Sequence, residues 1–186
     1  MRNMPSTDAP DLDTLLALFP PATAIKAAEP IAAEQVPEPY HGLLVHDQHM
    51  TVTVEAHHQG RVNVVVLAQR RDGDAYSRKI LLSLDRDGKI AQFGLVRIHL
   101  EFCSDAVKAA ILEQRTPLGR ILIEHDVLRR IEPTAFLRVT PGPEMMQWFN
   151  LTAPVVTYGR LALIHCDGKP AIELLEIVAP ERKIVQ

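Results

Sequence analysis

The chain is poor in the features that announce many function classes. It has two cysteines, Cys103 and Cys166, with no Cys-x-x-Cys spacing, and nothing near its start resembles a signal peptide. Free thiols in a reducing cytoplasm are the expectation. No apolar run approaches the roughly 18 residues that a bilayer span needs, so no membrane partner is expected. Charge is nearly balanced at a formal net −3, without a basic block or a Lys/Arg stripe. That argues against nucleic acid or an anionic membrane surface as the partner. There is no Gly-x-Ser-x-Gly, no phosphate-binding loop, no Gly-x-Gly-x-x-Gly after a strand and no internal repeat, which leaves a nucleotide site without support. The 186 residues suffice for one domain with a real core.

What is present is a series of strands joined by tight turns. Residues 1 to about 10 read as disordered, a short helix is expected through Leu15, Leu16, Leu18 and Phe19, and Pro20-Pro21 ends it. The Ala/Glu/Pro-rich segment from Ala22 to Tyr40 reads as a linker with marginal helix, so residues 1–40 form an extension to a domain spanning 41–186. Thr51 to Ala56 alternates and predicts a strand, followed by strands over Val62–Ala68, Tyr76–Leu84 and Ile90–Leu100. The Asp87-Gly88 pair supplies the positive φ angles that a tight hairpin needs. Ser104-Asp105 caps a helix, Pro117 begins another, and a strand near Phe136–Val139 precedes a short helix carrying Met145 to Phe149. Two final strands, Val155–Cys166 and Ala171–Ala179, meet at Asp167-Gly168. Strands in runs, with helices between them and no βαβ alternation, predict an α+β fold with a single antiparallel sheet of about six strands.

Charges on apolar strands are the chemical signal. Arg78 shares a strand face with Tyr76, Ile80, Leu82 and Leu84. A guanidinium does not shed its charge, so on a buried face it needs a carboxylate from the protein or from a ligand. On the last strand Glu176 lies with Ile172, Leu174 and Val178, and Glu173 lies on the other face with Leu175 and Ile177. Arg78 and Glu176 either neutralise each other or face each other across a cavity. His46, His49, His57 and His58 lie near Glu55, but no His-Glu-x-x-His pattern exists and strand geometry sends His57 and His58 to opposite faces, so no metal is expected. Met50 enters the first predicted strand on the face of Val52 and Val54.

Together these residues resemble the bacterial chorismate lyase (chorismate pyruvate-lyase, 4-hydroxybenzoate synthase) family. The likeness rests on Met50-Thr51, on Arg78-Lys79-Ile80-Leu81-Leu82, on Thr116-Pro117-Leu118-Gly119-Arg120 and on Leu174 through Pro180, in that order. It implies one antiparallel sheet with helical flaps over a buried ligand, and cofactor-free, metal-free elimination of pyruvate from chorismate to give 4-hydroxybenzoate. It further implies catalytic roles for Arg78, on the ring carboxylate, and Glu176, at the ether or hydroxyl end. The resemblance also implies that Met50, Thr51, Leu118 and Gly119 line the pocket. Shorter members of the family it resembles carry an arginine where this chain has Leu95, and Arg97, two residues on and on the same strand face, is expected to make that substrate contact instead. The same fold also occurs as the effector-binding module of bacterial transcription regulators, although no helix-turn-helix is evident before the strands. The alternative to a lyase is therefore a non-catalytic module that binds a small aromatic or sugar-like acid. A scaffold in which the two charges are purely structural is the third reading.

Overall fold

The computed structural model describes residues 9–181; the disorder expected at the chain start falls mainly on positions 1–8, outside the described residues. The elements run α1 (Leu12–Leu16), β1 (Ile25–Ile31), α2 (Tyr40–Leu44), α3 (Met50–His58), β2 (Val62–Asp72), β3 (Ala75–Leu84), β4 (Ile90–His99), α4 (Asp105–Leu112), α5 (Leu118–Glu124), β5 (Arg129–Pro141), α6 (Pro143–Trp148), β6 (Thr157–Cys166) and β7 (Lys169–Val178). The strands form one seven-stranded sheet in the order β1-β5-β6-β7-β4-β3-β2, and every neighbouring pair is antiparallel. The fold is α+β with a single antiparallel sheet.

Local signals account for many of the boundaries. Ser104 caps α4 by accepting a hydrogen bond from the Val107 N–H at 3.3 Å. Asp11 does the same for α1, accepting from the Thr14 N–H at 2.9 Å. At the β6–β7 hairpin Asp167 and Gly168 both take positive φ, +51° and +77°, matching the twist of the flanking strands.

The two faces of the sheet carry separate cores. On the front face Ile80, Leu82, Val96, Ile172 and Leu174 lie beneath α2 to α5, with Leu43, Met50, Val54, Ile111 and Leu122 packing down from those helices. On the back face Leu81, Phe93, Leu95, Leu175 and Ile177 lie beneath α1 and α6, where Leu15 and Met145 are fully buried and Trp148 stacks on Phe93 at 5.2 Å between ring centroids. The aromatic and methionine cluster near residue 148 is thus core.

Three expectations are corrected. The segment read as a linker contains β1, which pairs with β5 from Ile25 to Ile31, so the sheet has seven strands and begins before residue 40. Its residues, Ile-Lys-Ala-Ala-Glu-Pro-Ile, do not alternate, and Pro30 is compatible with a strand only because β1 is an edge. The alternating Thr51–Ala56 stretch is not a strand but the body of α3. Met50, Thr51 and Val54 point into the core at helical spacing, whereas Val52 is 41% exposed. Local β-branched preference is a weak prior, and the packing of one helical stripe overrides it. Met50 and Val52 accordingly face opposite ways.

Candidate functional site

The front face holds a small enclosed space of about 40 Å³. Its floor is Arg78, Ile80 and Leu82 from β3, Gln92, Gly94 and Val96 from β4, and Leu174 and Glu176 from β7. Its roof is His49, Met50 and Thr51 at the start of α3 and Pro117, Leu118 and Gly119 at the start of α5. Six of the seven residues picked from the sequence therefore line one cavity. Gly94 leaves the floor bare between Ile80 and Glu176, because a Cβ there would sit 3.2 Å from the Ile80 side chain. Gly119 lets the two roof helices meet, since a Cβ at that position would lie 2.9 Å from the His49 Cβ.

Arg78 is 1% exposed, and among the described residues its Nε and Nη1 have no hydrogen-bond partner. Burial pushes the guanidinium below its ordinary pKa, and Tyr76, two residues along the same face, offsets part of that effect. Gln92 is a second buried group of this kind: it is 3% exposed, lines the same cavity, and its Oε1 has no partner among the described residues. Two polar groups converging unpaired on one enclosed space are an unusual arrangement, because buried polar groups are overwhelmingly hydrogen-bonded.

Glu176 is differently placed. Arg160, on β6 directly across from it, donates from Nε to its carboxylate at 2.8 Å. The remaining nitrogens of Arg160 donate to the carbonyl oxygens of Leu44, His46 and Gln48, at 3.2, 2.9 and 3.1 Å. That network ties the loop between α2 and α3 to the sheet. His46 completes the loop: it receives the Gln48 N–H at Nδ1 and its Nε2 lies 2.7 Å from the Leu43 carbonyl.

Arg97 lies outside the cavity, which corrects its role as a substrate contact. It pairs in register with Ser77 and Glu173, the residues facing away from Arg78, and its Nη2 donates to Glu173 at 2.7 Å. Burial opposes ionisation of Glu173, but hydrogen bonds from His99 and Arg97 outweigh it and hold this carboxyl at about 2.

Gln92, Gly94 and Arg160 escaped the sequence reading, and His49 entered it only as a member of the histidine cluster. Gln92 and Arg160 carried the same signal as Arg78, a lone polar residue in an apolar strand. His49 carried none. It is buried beneath Arg129, whose Nε donates to its Nε2 at 2.7 Å, and desolvation together with the Arg129 and Arg160 charges holds its pKa at about 4.

No family model matches the chain, and no curated protein matches it. Solved structures do. The gene product SA0254 from Staphylococcus aureus is similar over 73% of this chain and 90% of its own, with a TM-score of 0.52 and 10% identity. PhnF from Mycobacterium smegmatis is similar over 71% of this chain and 64% of its own (TM-score 0.51, 10% identity). Its separately solved effector domain is similar over 73% of this chain and 90% of its own (TM-score 0.51, 8% identity). The likeness is one of fold.

These findings overturn the expectation of a lyase. None of the three similar structures is described as a lyase, and the one whose role is stated is an effector domain. The site agrees, because Glu176, the expected acid or base, is held by Arg160 as an ion pair with both side chains at most 10% exposed. Among the described residues no helix is long and apolar enough to cross a membrane.

Proposed function

We propose that this chain is a non-catalytic binding module for a small hydroxylated acid, aromatic or sugar-like, whose carboxylate is held by Arg78. The observation that carries this reading is the Arg78 guanidinium, buried and without a protein partner for two of its nitrogens. Desolvating an uncompensated charge costs several kcal/mol, which an anionic ligand would offset with charge-assisted hydrogen bonds. Gln92 supports a hydroxyl on the same ligand, because its free carbonyl oxygen accepts and does not donate. The start of α3 supports the anion too. The His49 side chain makes no capping bond, and among the described residues the Met50 and Thr51 N–H groups have no partner, whereas those of Val52 and Thr53 donate to the His49 carbonyl.

The enclosed space of about 40 Å³ holds a group the size of a carboxylate. A ring or sugar body therefore binds only as Met50 and Leu118 part, and their elements are the short helices of the roof. Likeness of fold to the effector domain of PhnF supports a module that senses rather than transforms its ligand.

The test is calorimetry with 4-hydroxybenzoate, benzoate and glucuronate on the wild type, Arg78→Gln and Gln92→Leu. Hydroxylated acids should bind the wild type, Arg78→Gln should abolish binding of all acids, and Gln92→Leu should weaken hydroxylated acids more than benzoate. Acid binding that survives Arg78→Gln, or the absence of binding by any of the three acids, refutes the proposal.

A further inference from the structure

At the far end of α3 from the cavity, His57 and His58 close the helix and Glu181 comes back from beyond β7 to meet them. The ligand atoms of the three side chains all lie within 4.8 Å of one another. His57 Nε2 is 2.8 Å from Glu181 Oε1, and the two imidazoles stand edge to face with centroids 4.8 Å apart. We propose that His57, His58 and Glu181 form a binding site for a divalent transition cation, with zinc the best match to its donor set.

Two imidazoles and one carboxylate are a recurrent zinc donor set, with water filling the fourth position. Bonds of roughly 2.0–2.2 Å place tetrahedral ligand atoms about 3.4 Å apart, so small side-chain rotations convert the observed cluster into a coordinated one. Each donor stands on an anchored backbone. α3 ends in a left-handed Gln59 at φ +50°. The His58 carbonyl accepts from Arg86 Nη1 at 2.7 Å. The Glu181 N–H donates to the Tyr40 hydroxyl at 2.8 Å. The electrostatics are mixed in detail: Arg86 opposes a cation, whereas Asp87 and Glu181 favour one, as does the C-terminal end of the helix dipole.

A bound cation would clip the exit from β7 to α3, the helix whose first turn roofs the cavity. The site does not depend on what the cavity binds.

The experiment is a calorimetric titration of the metal-free full chain with zinc chloride, alongside H57A, H58A and E181A, with H125A and C103S as controls. One equivalent of zinc should bind, each of the three variants should weaken it by about tenfold or more, and the controls should leave it unchanged. Zinc should raise the melting temperature of the wild type and a chelator should reverse the rise. Equal melting temperatures in chelator would show that the variants fold. Undiminished binding in an H57A/H58A double variant, or loss of binding in either control, overturns the assignment.

Discussion

Replacing Arg78 by methionine separates a ligand-binding arginine from a structural one. Methionine keeps an unbranched stem of similar reach over Ile80 and removes the charge. In the free protein two guanidinium nitrogens of Arg78 have no partner among the described residues, and the side chain is 1% exposed. Replacing buried ionic groups by apolar residues of similar volume is neutral or stabilising by about 1–4 kcal/mol. An arginine with so little internal compensation belongs in the upper half of that range, offset by whatever the Tyr76 hydroxyl contributes. For a chain of this size each kcal/mol moves the melting temperature by about 2–4 °C, so a gain of about 2.5–4 kcal/mol should make R78M melt roughly 5–16 °C higher than the wild type. Urea unfolding should show a raised midpoint with an unchanged slope, which separates a gain in stability from a change in the denatured state. Acid binding should be lost at the same time. A variant less stable than the wild type by more than about 1 kcal/mol would refute the reasoning, since it would make Arg78 part of the scaffold.

Arg160→Met should behave in the opposite way, costing about 3–5 kcal/mol because it strands the Glu176 carboxylate. An R160M/E176L double variant should recover most of that loss in urea unfolding. Gly119→Ala should destabilise by about 1–3 kcal/mol, since the clash with the His49 Cβ at 2.9 Å exceeds the helix-propensity gain of about 1 kcal/mol, and should weaken acid binding in calorimetry. His49 is held at about 4, below the ordinary value of 6.5, so its contribution is complete above pH 6.5 and lost as pH falls towards 4. The unfolded chain binds the extra proton in that window. Over it, stability should fall by about 3 kcal/mol, and His49→Gln should flatten that part of the pH profile.

The strands of the sheet's centre were legible because their turns and their alternation agree. Gly88 and Asp167-Gly168 take the positive φ that the hairpins require, and β3, β4, β6 and β7 start and stop within a few residues of their signals. The two misread segments lacked that agreement. β1 pairs along an edge and buries little, so its sequence has no need to alternate. α3 alternates by accident of composition, and only its contacts below reveal the helical stripe of Met50, Thr51 and Val54. Two of the cavity's residues, Arg78 and Glu176, were legible as lone charges in apolar strands, whereas Met50 and Leu118 were expected there from the family resemblance. The partner of Glu176 was not legible. Arg160 is 16 residues away in sequence, and the register of β6 against β7 decides the pairing.

The pairing changes what the front face can be. Arg78 and Arg160 stand on the same face, each 1% exposed, in strands separated by β4 and β7. Around Arg160 the protein supplies one carboxylate and three carbonyl oxygens. The fold thus satisfies a buried guanidinium in full where the guanidinium has a structural task. On β3, beyond those two strands, Arg78 receives no carboxylate from the described residues, and the acceptor nearest in kind is the uncommitted Oε1 of Gln92 in the same cavity. A general tolerance of buried charge does not explain both, because the two sites share burial, face and residue type and differ only in compensation. What differs is the space: Arg160 is wrapped by the loop between α2 and α3, while Arg78 opens on the enclosed volume beneath the α3 and α5 termini. Glu176 lines that volume too, but its carboxylate is paired with Arg160 at 2.8 Å. Such a wall presents one uncompensated cation to the cavity, and the carboxylate beside it is already paired.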